Sequence, residues 1–246
     1  MNLGMPVLSV IRFLSRVLRF SKTNMSEMSE NLCKMRCAIF GAAKIQNYRR
    51  IKSLLLPDDF NIFCDGGLSH SKKLGIEPNL VAGDFDSLKN PGLAKKKISA
   101  ETLVLPREKD DTDSFFAVKE GFRRGFRDFF LAGTAGDRFD HTFANVSALL
   151  WLFNRGCRAV MADDFSTMKI VGSEGAFVNG GCRYFSLLPV FGDVFGVEIS
   201  DAKFPLKKGS VSSEYVYTTS NENLPGKQAF VRVEKGLVLL VEVFAE

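Results

Sequence analysis

Two carboxylates one residue apart follow a short apolar run in Val81-Ala82-Gly83-Asp84-Phe85-Asp86-Ser87-Leu88. Like charges at this spacing repel unless water or a cation lies between them. In an extended chain residues i and i+2 share a face, so Asp84 and Asp86 can both turn to one cation while Phe85 turns inward. Mg²⁺ takes one or two carboxylates and completes its shell with water and phosphate oxygens. A plain polar turn has the same composition, and taken alone the stretch leaves both readings open.

Three more clusters carry chemistry. Asp65-Gly66-Gly67 sets a charge beside glycines that let a ligand approach the backbone, although such a tripeptide is also a common turn. Asp110-Asp111-Thr112-Asp113 precedes a helical pattern. Asp and Thr are good helix caps and acids suit a first turn. Capping uses one or two of the four groups, so the surplus again suggests a cation. Gly133-Thr-Ala-Gly136-Asp137-Arg138-Phe139-Asp140-His141 joins a glycine loop to a helix start, where backbone N–H groups can cradle phosphate. Arg138 adds a fork of donors for phosphate oxygens. Asp140 is expected to cap the helix, and His141 is as readily structural as catalytic.

Strands alternating with helices must position these groups. Cys37–Gly41 reads as a buried strand and Phe60–Cys64 as a second apolar one, and Thr102–Leu105, Phe129–Ala132 and Arg158–Met161 read as further strands. Asn47–Leu56 reads as a helix, and Phe115, Val118, Phe122 and Phe126 recur at helical spacing. A further helix is expected over His141–Phe153, with Phe143, Val146, Leu149, Leu150 and Phe153 on its buried face. This alternation predicts an α/β domain built on a parallel sheet. The acids and the Gly/Arg loop each follow a different strand, where open α/β sheets bind ligands. Acids for Mg²⁺ with a Gly/Arg loop for phosphate is equipment for phosphoryl-type transfer. There is no Walker A sequence and no GxGxxG. After about Phe165 the helical period gives way to short alternating segments. Phe230–Val243, turning at Glu234-Lys235-Gly236, reads as an antiparallel hairpin within a smaller all-β domain.

Composition bounds the alternatives. At 246 residues, 46% hydrophobic and 25% charged, the chain is of ordinary globular type. A net charge of +5, spread without aromatic interleaving, argues against a nucleic-acid partner. Five scattered cysteines without a CxxC pair, and only two histidines, argue against zinc and suit a reducing cytoplasm. Val7–Phe20 is broken by Arg12, Arg16 and Arg19, too short and too charged to span a bilayer. No signal-peptide order is evident, and no stable membrane association is expected. Residues 1–34 are expected to be a flexible extension or a mis-assigned start, with an amphipathic surface helix as the alternative.

The order of motifs, DGG, GDFDS, DxTD, a GxxGxRFDH loop and Thr219-Ser220-Asn221-Glu222 in the β domain, resembles that of the thiamin pyrophosphokinase family. The resemblance spans nearly all of Met35–Val243. It implies an α/β catalytic domain over residues 35–165 and a β-sandwich thiamin-binding domain over 166–246. It also implies a homodimer with thiamin at the subunit interface. The implied reaction transfers the diphosphoryl group of ATP to the hydroxyethyl oxygen of thiamin, with Mg²⁺, giving AMP and thiamin diphosphate. Asp84, Asp86, Asp110 and Asp113 would hold the metal. Asp65 would sit beside them, and with Gly66, Gly67 and Thr112 it would help to bind the nucleotide. Arg138 would bind ATP phosphates, bordered by Asp140 and His141. Ser220 and Asn221 would contact the thiamin pyrimidine.

Two departures stand out. Gly136-Asp137 replaces the family's usual paired glycines before the arginine, adding a negative charge near the phosphates. The β domain also lacks tryptophan, so Tyr215, Tyr217 or a phenylalanine would have to stack on thiamin. Rival readings are a diphosphokinase acting on another alcohol such as a hydroxymethylpterin, a non-catalytic nucleotide or thiamin sensor, and a Mg²⁺-dependent phosphohydrolase.

Overall fold

The computed structural model describes residues 35–83, 100–105, 111–136 and 138–245. Asp84, Asp86, Asp110, Asp137 and residues 1–34 lie outside them. The chain divides into two compact units between Ala159 and Val160.

In the first unit, β1 (Arg36–Phe40), β2 (Phe60–Cys64), β3 (Leu80–Gly83), β4 (Glu101–Val104) and β5 (Asp128–Ala132) form a sheet in the order β4-β3-β2-β1-β5. The pairings within it are parallel. β1, β2, β3 and β5 are near-continuous apolar runs because helices cover a parallel sheet on its faces, whereas β4, at the sheet edge, is only half-buried and leaves Val104 exposed. Cys37–Phe40 and Phe129–Ala132 are buried throughout. The chain fills the sheet outward from β1 to β4, then returns to lay β5 on the other side of β1. That reversal opens a crevice between the carboxyl ends of β1 and β5, the favoured ligand position of such sheets.

The helices are α1 (Tyr48–Ser53), α2 (Ser69–Leu74), α3 (Asp113–Arg124) and α4 (Phe139–Phe153). Thr112 caps α3 by accepting from the Phe115 amide at 3.2 Å. Gly125, at φ 103°, ends it. Phe126, expected on the helical face, therefore lies past the helix end and is buried in the turn into β5. The buried stripe of α4 is Asn145, Val146, Ala148, Leu149 and Leu152. Phe143, expected within it, is 47% exposed and pairs with the exposed Phe139. The periodicity was right in spacing, but the face is rotated so that Asn145 points inward.

The second unit holds two antiparallel layers. In one, β13 (Val238–Val243) lies between β7 (Ser166–Val171) and β9 (Tyr184–Leu188). The other runs β11 (Leu206–Val211), β10 (Val194–Ser200), β12 (Phe230–Arg232), β8 (Ala176–Phe177). The layers share a core of Val171, Phe185, Leu187, Val197, Val231 and Leu240 among others, the arrangement of a β-sandwich. The expected hairpin over Phe230–Val243 does not form. β12 pairs with β10 and β8, whereas β13 pairs with β7 and β9. Period-two alternation fits any half-buried strand. Gly236, at φ 94°, lets the turn carry the chain across the core instead of back along one sheet. β6 (Arg158–Ala162) spans the division and pairs antiparallel with β7. Among the described residues no helix is long and apolar enough to cross a membrane.

Candidate active site

A cleft of about 870 Å³ opens at the carboxyl ends of β1, β2 and β5. Its floor depends on backbone contact that side chains would block. A Cβ on Gly41 would stand 2.4 Å from the Gly133 carbonyl oxygen, and one on Gly67 would stand 2.3 Å from that of Phe40. Gly41 donates to Ala132 at 2.9 Å and Ala43 to Gly133 at 2.8 Å, fastening the loop after β1 to the loop after β5. Phe40 and Phe63, at or next to the ends of β1 and β2, are fully buried and stacked at 4.6 Å between centroids.

Several predicted residues meet in this cleft. Asp65, Gly66, Thr112, Asp113, Arg138 and His141 all line it. Asp65 begins a single 3₁₀ turn at φ 25°, a backbone conformation costly for a residue with a side chain. Its Cβ lies 2.7 Å from where a Cβ on Gly83 would be, so the end of β3 lies directly beside Asp65. Asp113 sits in the first turn of α3, its carbonyl 3.6 Å from the Cys64 thiol. Gly67 packs against β1 and does not line the cleft. Thr112 spends its hydroxyl on the cap. Asp111 is ion-paired with Lys119.

The loop after β5 is held from within. The Thr142 hydroxyl accepts from Gly136 N at 3.1 Å, and Asn145 Nδ2 donates to Thr134 O at 2.7 Å. Arg138 is the residue before α4, exposed, with its guanidinium on Asp140 at 3.1 and 2.5 Å. Those hydrogen bonds hold the Asp140 carboxyl at about 2. The expected capping by Asp140 is not seen: it stands inside the first turn, where its charge suits the helix dipole. His141 Nε2 lies 4.0 Å from Asp140 Oδ2, at the rim.

Residues that motif reading missed also face the cleft: Lys44, Tyr48, His70, Lys73 and Asn145. The signals were present but weak. His70 is one of two histidines, four residues after Gly66, and Asn145 interrupts the apolar stripe of α4. Among the described residues no group of three or more His, Cys, Asp or Glu is placed to hold a metal. Asp65 and Asp113 offer the hard oxygen donors that Mg²⁺ prefers. The strand end leading to Asp84 adjoins Asp65, so the residues fit such an ion.

In the second unit, Ser220 stands exposed at φ 55° between anchored neighbours. Thr218 donates to Leu187 O at 2.6 Å, and Asn221 exchanges backbone hydrogen bonds with Phe185 at 2.8 Å. The Asn221 amide is buried and occupied, accepting from Phe204 N and Glu222 N and donating to Phe204 O. Its side chain is thereby committed to shaping the loop that displays Ser220. A separate open cleft of about 740 Å³ in this unit is lined by Cys182, Arg183, Asp201, Glu222, Asn223 and Lys227, among others.

Comparison with known proteins agrees with this layout. Residues 51–161 match the model for "Thiamin pyrophosphokinase, catalytic domain", and residues 176–238 match "Thiamin pyrophosphokinase, vitamin B1 binding domain". Thiamine pyrophosphokinase of Bacillus subtilis is 24% identical over 68% of this chain and 79% of its own. Thiamin pyrophosphokinase 1 of Caenorhabditis elegans is 22% identical over 88% of this chain and 93% of its own. In fold, the crystal structure of the Bacillus subtilis protein superposes with a TM-score of 0.75 at 18% identity, covering 86% of this chain and all (100%) of that one. The yeast thiamin pyrophosphokinase structure gives 0.66 at 16% identity, covering 87% and 90%.

Proposed function

This chain belongs to the thiamin pyrophosphokinase family, and we propose that it transfers the diphosphoryl group of ATP to the hydroxyethyl oxygen of thiamin. That oxygen bonds to the β-phosphorus. The bond from the β-phosphorus to the oxygen bridging the α-phosphorus breaks, AMP leaves with that oxygen, and the hydroxyl proton passes to a base. The observation that supports it most is one cleft at the β1/β5 reversal with Asp65 and Asp113 on its wall and Arg138 at its rim.

Asp84, Asp86, Asp110 and Asp113 would hold Mg²⁺, with Asp65 beside them. When bound, the ion would offset charge on the moving diphosphoryl group. Arg138, freed from Asp140 by the stronger pull of phosphate oxygens, would orient the chain of phosphates. Thiamin would meet the loop that displays Ser220, with Tyr215 or Tyr217 as its aromatic neighbour; their rings lie 5.9 Å apart and are exposed. A homodimer would cover the exposed Phe177, Phe195 and Phe204 of the β unit. Among the described residues the thiols of Cys37, Cys64, Cys157 and Cys182 are buried and free, which supports a reducing cytoplasmic setting.

The test is to incubate the full chain with ATP, Mg²⁺ and thiamin and to follow AMP and thiamin diphosphate by chromatography. Equal formation of both products is expected. AMP without a diphosphorylated product would indicate hydrolysis, and turnover only with pterin alcohols would reassign the acceptor.

A further inference from the structure

Lys44, Tyr48, His70 and Lys73 line the cleft yet have no part in the roles above. They come from the loop after β1, the start of α1 and the body of α2. His70 is 5% exposed and uses both ring nitrogens. Nδ1 lies 2.7 Å from the Tyr48 hydroxyl and Nε2 lies 3.1 Å from the Ala43 carbonyl. A carbonyl only accepts, so Nε2 carries the proton and Nδ1 accepts from tyrosine. A neutral ring agrees with its burial and with nearby Lys73, which together outweigh the Ala43 hydrogen bond and lower its pKa. Ala43 in turn donates to Gly133 at 2.8 Å. The run Tyr48–His70–Ala43–Gly133 therefore ties α1 and α2 to both loops that frame the cleft.

This run delivers two cations. Lys44 is the residue after Ala43, and Lys73 Nζ stands 5.1 Å from the centre of the Tyr48 ring. Neither has a carboxylate partner among the described residues. Unneutralised ammonium groups around a concavity favour an anion there. Strand order then indicates which part of the nucleotide it is. The loop after β1 lies between the acid-bearing loop after β2 and the Arg138 loop after β5. The β- and γ-phosphates are drawn to the metal-binding acids and to Arg138, which leaves the α-phosphate for the lysines.

We infer that Lys44 and Lys73 form a cationic subsite for the α-phosphate of ATP, the phosphate that departs as AMP, with His70 as the positioning residue that holds it in register. The inference rests on the diphosphotransfer reading. When the bond between the β-phosphorus and the bridging oxygen breaks, the electron pair stays on that oxygen and negative charge grows on the α-phosphate. A cation placed there gains more in the transition state than in the ground state. It therefore raises turnover as well as nucleotide affinity.

The experiment uses the full-length protein with AMP as the calorimetric probe, alongside steady-state kinetics. Lys44→Met and Lys73→Met should each weaken AMP roughly tenfold and lower kcat, with KM for thiamin and the melting temperature unchanged. His70→Leu should reproduce the AMP and kcat losses. His70→Gln, whose amide can donate to Ala43 and accept from Tyr48, should restore most of both. Wild-type AMP affinity in both lysine variants would overturn the subsite. Equal loss of thiamin and AMP affinity in His70→Leu, or no rescue by Gln, would overturn the positioning role. A wild-type protein that binds AMP through these lysines yet makes no thiamin diphosphate keeps the subsite and loses the diphosphotransfer reading. One that makes thiamin diphosphate with lysine variants of normal AMP affinity does the reverse.

Discussion

Gly41 and Gly133 meet backbone to backbone where β1 and β5 end. A Cβ on either would lie within 2.4 or 2.6 Å of the other's carbonyl oxygen. Gly133 also adopts φ 61°, a region that side chains disfavour. The two loops that frame the cleft can approach this closely only because neither residue carries a side chain.

Gly41→Ala should therefore push the loops apart. The expected cost is about 1–3 kcal/mol, as for other overpacking of a tight contact. It should be read from urea denaturation, with KM for ATP rising more than KM for thiamin because the distortion is local to the nucleotide side.

Asp65→Asn separates charge from backbone. Asn tolerates positive φ as well as Asp does, so the turn at φ 25° should survive and the melting temperature should hold. Mg²⁺-dependent turnover should fall roughly 10- to 100-fold, as for residues that support a metal site. Asp84→Asn should fall at least as far with the fold intact. Unchanged activity in Asp84→Asn would remove the Asp84/Asp86 pair from the metal site.

Arg138→Gln should change stability only slightly, since an exposed, solvent-screened ion pair contributes little, and lower kcat/KM for ATP by roughly one to two orders of magnitude. The same variant should free Asp140. Held at about 2 by Arg138, that carboxylate makes a contribution present above its ordinary 3.8 and lost as the pH falls through about 2. In the variant its NMR titration midpoint should rise toward the ordinary value.

Arg124 anchors a buried network behind the site. It donates to Glu120 at 2.7 Å and to Glu101 at 2.8 and 2.6 Å. Arg124→Leu leaves Glu120 buried beside only Arg123, and should destabilise by about 3–5 kcal/mol in denaturant unfolding. Burial raises the Glu120 pKa, but hydrogen bonds from Arg123 and Arg124 outweigh it and hold the group below its ordinary 4.5. Its contribution is thus present above that value and lost as the pH falls below it. Acid destabilisation of the wild type should be steeper there than that of the variant.

Much of this was legible in linear order. Apolar runs ending in glycine or aspartate marked β1, β2, β3 and β5, because a strand buried on both faces must be apolar throughout and must end where a polar loop begins. Thr112 announced its cap, whereas the helix end at Gly125 was overrun by the apolar spacing that continues to Phe126. The succession of acids and glycines after those strands was enough to indicate phosphoryl-type chemistry and the family.

Partnership was not legible. Periodicity encodes how deeply a residue is buried, not what it touches. Phe230–Val243 accordingly looked like a hairpin although its two strands belong to opposite layers. In the same way α4 buries Asn145 and exposes Phe143. Nothing near His70 in the chain predicts that it bridges Tyr48 and Ala43, or that Gly41 meets Gly133 across ninety-odd residues. Those contacts arise because β5 returns to the far side of β1, and the side of the sheet to which a crossover returns is settled by non-local packing. Local sequence supplies the chemical groups, and the strand order decides which of them face one cleft.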